Sequence, residues 1–396
     1  MELTEMIKQA ANSLFDEIVS IRRALHRRPE LSFQEYETAA YICRYLKKLG
    51  IPYHSGVAGT GVVGLIAPDT ACRKTLLLRA DMDALPVTEV GNLPYASETS
   101  GVMHACGHDG HIAVLLGTAA ILMQFREHLS CNVKLVFQPG EEAEGGAQPM
   151  IEAGVLENPT VDAAVGLHIM NDVPCGKIRV KTGPMMAAPD DFDLIIKGRG
   201  GHGAHPDECV DPISVACQIV SAFDTLSARF ASPFEPKVIS VCAINGGSFF
   251  NIIPDSVHLK GTVRAYDKTL REKLPQIMEN LAKHFTLAYG ADYDFSYRFR
   301  FPPLINDKAV TNALASSAAE ILGAENILSG GIPSMAGDDF SYFSETVPAT
   351  YFNLGSRNEE KHITAPLHNA DFDIDENCLR CGMMVMSKFA LDFGKF

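Results

Sequence analysis

Three histidines and a cysteine fall within eight residues at His104-Ala-Cys106-Gly-His108-Asp-Gly-His111. Imidazole nitrogen and thiolate sulfur are borderline to soft donors, suited to Zn2+, Mn2+ or Ni2+. A single histidine at a helix start is ordinarily incidental. Four donors this dense point to a metal, although the spacing leaves open which of them bind. Further along, Gln138-Pro-Gly-Glu141-Glu142 sets two carboxylates side by side. Like charges repel, so such a pair outside a helix asks for a reason. A division of labour supplies one: one carboxylate binds metal and its neighbour stays free as a general base. A solvated acidic turn, with Glu144 close by, is the plainer alternative. Asp81-Met-Asp83 offers two carboxylates that could ligate a metal, orient a ligand histidine, or simply form a turn. His168 and His368 draw their weight only from this company.

The elements that must position these groups are legible in outline. Residues 5–28 and 33–49 have the periodicity of amphipathic helices. The second opens with Ser32-x-x-Glu35, a capping-box pattern, and stops at Gly50. Short apolar runs at 62–66, 76–78, 133–137 and 163–167 are bounded by turn residues, as buried strands are, and a helical segment at 110–128 separates the second and third. This alternation predicts an α/β domain with a largely parallel sheet. Ligand sites in such sheets lie beyond the carboxyl ends of strands. Asp81, Glu141 and Glu142, and His168 each follow one of these runs.

From about residue 188 the rhythm changes. Strand 192–199, helix 212–229, strands 237–244 and 257–265, helix 269–288 and strand 292–301 give βαββαβ, the ferredoxin-like order. Phe295, Tyr297, Phe299 and Phe301 alternate with polar residues, so the last strand reads as one-faced. Helix 308–322, strand 349–354 and a helix near 375–392 then resume the α/β style. The expected organisation is an α+β domain at 188–302 inserted into a catalytic α/β domain made of 1–187 and 303–396.

A formal net charge of −14 argues against nucleic acid, whose phosphates such a surface repels. It also requires a local cation wherever an anionic substrate binds. No stretch approaches the ~20 apolar residues of a membrane helix, and Met1-Glu-Leu-Thr-Glu lacks the basic start of a signal peptide. The expectation is a cytoplasmic protein without a membrane partner, its ten cysteines mostly reduced. Cys378-x-x-Cys381 inside a predicted helix then reads as packing before redox chemistry.

These motifs resemble those of the M20 metallopeptidase family, in its branch of N-acyl-amino-acid amidohydrolases. The matching segments are His26-Arg-Arg-Pro-Glu30, Arg79-Ala-Asp-Met-Asp-Ala-Leu-Pro86, His104 to His111, Phe137-Gln-Pro-Gly-Glu-Glu142, Gly166-Leu-His168, Gly200-Gly-His202, Asn251-Ile-Ile-Pro254, Gly261-Thr-Val-Arg264, Gly337-Asp-Asp-Phe340 and Ala365-Pro-Leu-His368. They run in order along nearly the whole chain. The resemblance implies a zinc-peptidase-like catalytic domain with an inserted domain, acting as a homodimer or higher homo-oligomer. It implies two divalent cations, zinc or manganese with nickel and cobalt as alternatives, held by Cys106, His108, Glu142, His168 and His368. Glu141 is implied as the general base and Asp83 as the group that orients a ligand. His202, from the inserted domain and in many relatives from the partner subunit, is implied at the oxyanion. Asn251 and Arg264 are implied at the substrate carboxylate. Asp81 stands where other branches carry a ligand histidine. Gly203-Ala-His205 and Gly337-Asp-Asp depart from the usual pattern.

The expected reaction is hydrolysis of the amide of an N-acyl amino acid by metal-activated water. A dipeptidase or aminopeptidase on the same scaffold is the alternative, and a non-catalytic receptor is disfavoured by the intact Glu141/Glu142 pair. A Cys–His hydrolase would require Cys106 free of metal.

Overall fold

The computed structural model describes residues 2–395 apart from Thr70, Ala71, Arg73, Asn92, Ala231 and Pro233. The chain divides into two compact units, one of residues 1–183, 305–332 and 342–396, the other of 184–304 and 333–341.

The first unit is an α/β sandwich around an eight-stranded sheet. Across the sheet the strands run Tyr53–Val57, Gly61–Ile66, Asn132–Gln138, Thr75–Asp81, Ala163–Pro174, Ala349–Arg357, Ile178–Val180 and Ile327–Ser329. Thr75–Asp81 pairs in parallel with both Asn132–Gln138 and Ala163–Pro174, and the latter pairs in parallel with Ala349–Arg357. The pairings of Gly61–Ile66 are antiparallel. Every residue of Thr75–Asp81 is buried, which matches its uninterrupted apolar run.

The helix His108–Gln124 is buried along its length from His108 to Leu122. Apolar residues all round its circumference dictate that placement. Leu3–His26 and Asn377–Phe393 pack against it. Two glycines allow the close approach: a Cβ on Gly110 would meet Ile169 at 2.5 Å, and one on Gly117 would overlap Met383. Cys378 is buried and Cys381 partly so, both as free thiols in this packing.

The capping box expected at Ser32 and Glu35 does not form. The helix begins at Tyr36, and neither side chain caps it. Phe33 has φ +62, so the chain turns sharply before the helix. The carboxylate of Glu30 caps instead, accepting the amides of Glu37 at 3.1 Å and Thr38 at 2.8 Å.

The second unit is a four-stranded antiparallel sheet in the order Lys237–Asn245, Ser256–Ala265, Ala188–Lys197, Asp292–Arg298. The helices Pro212–Arg229 and Lys268–Tyr289 cover it, and Phe192, Leu194, Ile219, Phe223, Leu259 and Met278 are in its core. Asp211 and Asp267 cap the two helices through their carboxylates. Tyr293, Phe295 and Tyr297 pack on this core. The strand ends at Arg298, so the alternation read as far as Phe301 outruns it. Residues 333–341 belong to this unit as well, held by hydrogen bonds from Ala187 N to the carbonyls of Ser334 and Ala336. Among the described residues, no helix is long and apolar enough to cross a membrane.

Candidate metal centre

The strand ends and the start of the buried helix converge in the first unit. Gly107, in the left-handed region at φ +82, turns the chain into the helix His108–Gln124. Cys106 and His108 therefore flank that turn. The helix start is anchored from behind: Arg22 Nε donates to Asp109 Oδ2 at 2.7 Å, and His26 Nδ1 lies 2.8 Å from the same oxygen. His26, from the His-Arg-Arg-Pro-Glu motif, thus helps fix the turn between Cys106 and His108.

Cys106, His108 and His168 form one group whose candidate ligand atoms lie within 4.8 Å of one another; Cys106, Glu142 and His368 form a second, and His108, Glu141 and Glu142 a third. The Cys106 sulfur is 3.4 Å from His168 Nε2. His168 Nδ1 is 2.8 Å from the Ile169 carbonyl, which puts its proton on Nδ1 and leaves Nε2 as the donor atom for a cation. His108 Nδ1 is 3.3 Å from Asp83 Oδ1, while its Nε2 is 3.9 Å from Glu142 Oε1. Glu142 Oε1 is also 3.3 Å from His368 Nε2. Among the described residues, both ring nitrogens of His108, Asp83 Oδ1 and Glu142 Oε1 are buried with no hydrogen-bond partner. Buried polar atoms are almost always satisfied. Facing orphans of opposite character, beside a thiol and two further imidazoles, fit a bound divalent cation.

The local charge argues the same way. Burial pulls the His108 pKa down, but Asp81, Asp83 and Glu142 outweigh it and carry the group to about 10. A field that would hold a proton on a buried imidazole would equally hold a cation. Burial, with Glu142 and Glu141, pushes the Cys106 thiol up. That is the reverse of what a free nucleophilic cysteine needs, and it disfavours the Cys–His alternative. Only an adjacent cation would draw out the thiolate.

The geometry also separates the four donors of the His104–His111 motif. His111 has both ring nitrogens engaged: Nδ1 lies 2.6 Å from Asp81 Oδ1, and Nε2 accepts the Ile169 amide at 2.9 Å. Asp81 in turn accepts from Arg79 Nη1 at 2.6 Å. The chain Arg79–Asp81–His111–Ile169 ends one residue from His168 and braces it. Asp81 and His111 also form a donor group with His108, whereas His104 is buried and belongs to no donor group among the described residues. Burial lowers its pKa to about 4.

Two residues of unforeseen role complete the surroundings. Ser32 Oγ donates to Asp83 Oδ2 at 2.7 Å, an oxygen that also accepts the Glu142 amide at 2.9 Å. Glu35 accepts the Gly140 amide at 2.9 Å and the Thr60 hydroxyl at 2.5 Å.

His202, Asn251 and Arg264 lie in the second unit. The first two come together: Ile252 pairs with His202, and Gly203 N donates to the Asn251 carbonyl at 2.8 Å. A Cβ on Gly203 would meet the Asn251 backbone at 3.1 Å. The Ala204 amide donates to His202 Nδ1 at 3.0 Å, which leaves Nε2 to carry the ring proton and act as a donor. His205 packs edge-on against it, ring centres 5.5 Å apart. Arg264 makes no hydrogen bond to Asn251 among the described residues. Its Nε donates to the Met335 carbonyl at 3.1 Å, and Nη1 serves Val263 O at 3.0 Å, Asp190 O at 3.3 Å and the Thr262 hydroxyl. The outer nitrogen, Nη2, is left out of these bonds.

Residues 77–392 match the profile of Peptidase family M20/M25/M40. "Thermostable carboxypeptidase 1" of Saccharolobus solfataricus is 40% identical over 400 residues, covering 99% of each chain. "N-acetylcysteine deacetylase" of Bacillus subtilis is 38% identical, covering 94% of this chain and 96% of its own. Among solved structures, a dinuclear metal-binding peptidase of the M20 family from Bacillus subtilis aligns with a TM-score of 0.84 at 35% identity, over 97% of this chain and 99% of that one.

Proposed function

This chain belongs to peptidase family M20/M25/M40 and is a metal-dependent amidohydrolase; from that premise we propose that it hydrolyses the amide bond of N-acyl-L-amino acids. The observation that carries the reading is the convergence of Cys106, His108, His168, Glu142 and His368, with Glu141 beside them. These five residues would hold two divalent cations. Zinc suits the thiol and imidazoles, the carboxylate admits manganese, and nickel and cobalt are alternatives. Bound there, the ions would lower the pKa of a water toward about 7 and polarise the scissile carbonyl.

The chain's own residues do the rest. The Asp83 carboxylate, 3.3 Å from His108 Nδ1, orients that ring by charge and leaves Nε2 for a cation. Glu141 takes the proton of the attacking water and delivers it to the leaving nitrogen. His202 donates from Nε2 to the developing oxyanion, a role worth about 3–4 kcal/mol for a well-placed donor. The family resemblance supports a homodimer or higher homo-oligomer in which a second copy supplies that histidine. Asn251 and Arg264 receive the substrate's free carboxylate.

A carboxypeptidase reading is favoured by the 40% identical relative of that name. The two readings share one bond type, an amide whose nitrogen belongs to an amino acid with a free carboxylate. A panel of N-acetyl-, N-benzoyl- and indoleacetyl-amino acids beside free and N-blocked dipeptides separates them. Chelator-sensitive turnover should be highest on the simple N-acyl amino acids. Turnover confined to peptides would favour a peptidase, and turnover that survives complete metal removal would exclude both readings.

Arg264 answers the puzzle set by the net charge. Repulsion from the acidic surface is screened beyond about 8 Å at physiological salt, so one local guanidinium suffices. Nε and Nη1 are tied to the chain, so Nη2 leads the contact with the carboxylate. Arg264→Lys keeps the charge but loses the planar group that bonds the chain through Nε and Nη1 while offering Nη2, and Arg264→Ala loses both. With paired substrates that differ only in carboxylate against neutral amide, wild type should prefer the acid strongly. Arg264→Ala should lose most of that preference and Arg264→Lys part of it. An alanine variant that discriminates as well as wild type removes Arg264 from the site.

A further inference from the structure

We propose that Glu35 is a positioning residue for Glu141: its buried carboxylate and that of Asp83 grip the backbone on either side of Glu141 and hold that side chain at the metal centre. The inference rests on the reading of Glu141 as general base.

The geometry is symmetrical about one residue. The amide before Glu141, that of Gly140, donates to Glu35 at 2.9 Å, and the amide after it, that of Glu142, donates to Asp83 at 2.9 Å. Each carboxylate is steadied by a hydroxyl, Thr60 Oγ1 on Glu35 at 2.5 Å and Ser32 Oγ on Asp83 at 2.7 Å. Gly140 sits in the left-handed region at φ +66, and a Cβ there would strike the Phe33 ring at 2.5 Å. Phe33 itself has φ +62. The segment from Ser32 to Glu35 therefore meets the loop directly through the Glu35 carboxylate and the Phe33 ring, and through Ser32 by way of Asp83.

Glu35 is an expensive way to tie down a loop. It is 0% exposed and has no ion-pair partner among the described residues. A buried carboxylate without a cation is unfavourable unless hydrogen bonds compensate. An apolar side chain would fill the same space without that cost but could not receive the Gly140 amide. The acceptor is what the site requires, because a catalytic group displaced by ~1 Å can lose about 100-fold in rate.

Glu35→Ala and Glu35→Gln test this, each alone and combined with Glu141→Gln. The readouts are kcat, KM, metal content, and amide hydrogen exchange of peptides covering residues 138–144. In Glu35→Ala, kcat should fall about 100-fold, with KM within about threefold of wild type. Metal content should hold and exchange at 138–144 should accelerate. Glu35→Gln should restore most of kcat and of the protection, because its amide oxygen accepts from Gly140 and its NH2 group donates to Thr60. In the Glu141→Gln background, Glu35→Ala should lower kcat no further. Glu35→Ala with kcat within about twofold of wild type overturns the proposal, and so does a loss that adds in full to that of Glu141→Gln. Should Glu35→Ala fail to fold, Thr60→Val removes only the second donor. It should then lower kcat modestly and speed exchange, and wild-type values of both overturn the proposal. If Glu141→Gln itself turns over like wild type, the base assignment fails instead, which the Glu35 single variants and the exchange data tell apart.

Discussion

Glu141→Gln should lower kcat by about 10² to 10⁴-fold, the usual contribution of a general base, while the purified protein keeps its full metal content. Glutamine matches the shape of glutamate but its amide cannot accept the proton of water. Glu142→Gln should behave in the opposite order and lose metal first. Its Oε1 lies 3.3 Å from His368 Nε2 and 3.9 Å from His108 Nε2, and neutralising it removes the charge shared between the two imidazoles. Metal analysis of both proteins beside single-turnover kinetics distinguishes the roles. Metal loss in the Glu141 variant together with an intact centre in the Glu142 variant would mean that the two carboxylates are assigned the wrong way round.

Cys106→Ala should lose metal and turnover together. Removing even an outer partner of a ligand typically costs 10- to 100-fold in metal affinity, so loss of the ligand itself should exceed about 100-fold. Cys131→Ala is the control. Its buried thiol donates to the Ala390 carbonyl at 3.4 Å, and it belongs to no donor group among the described residues. It should cost about 1 kcal/mol of packing, visible as a lower Tm, with metal and kcat unchanged. Chelator competition gives the affinities. Full occupancy and normal turnover in Cys106→Ala would remove the sulfur from the centre.

The sequence made the long buried strands and the residues at their ends readable, because a strand covered on both faces must be apolar and its polar exit then stands out. Thr75–Asp81 and Asn132–Gln138 are of this kind. The edge strand Tyr53–Val57, with three exposed residues at its middle, carries no such pattern. Ile178–Val180 and Ile327–Ser329 are too short to show any period. At the site, density of donors was readable and their selection was not. His111 is occupied by Asp81 and by the Ile169 amide, partners that only the folded sheet brings to it. Ser32 and Glu35 illustrate the same limit. A capping box and a clamp on a distant loop have identical local spelling, and the left-handed backbone at Phe33 decides between them.

The helix that carries His108 has no solvent-facing side from His108 to Leu122. An engineer seeking a new substrate range therefore has almost no latitude there. Any charged residue would have to be buried, and any larger one at Gly110 or Gly117 would push into Ile169 or Met383. The second unit is built on the opposite plan. Its strand Asp292–Arg298 alternates exposed and partly covered positions, and its helix Pro212–Arg229 buries a single stripe. Mutational tolerance is thus low along the helix that carries His108 and higher on the exposed faces of these two elements of the second unit.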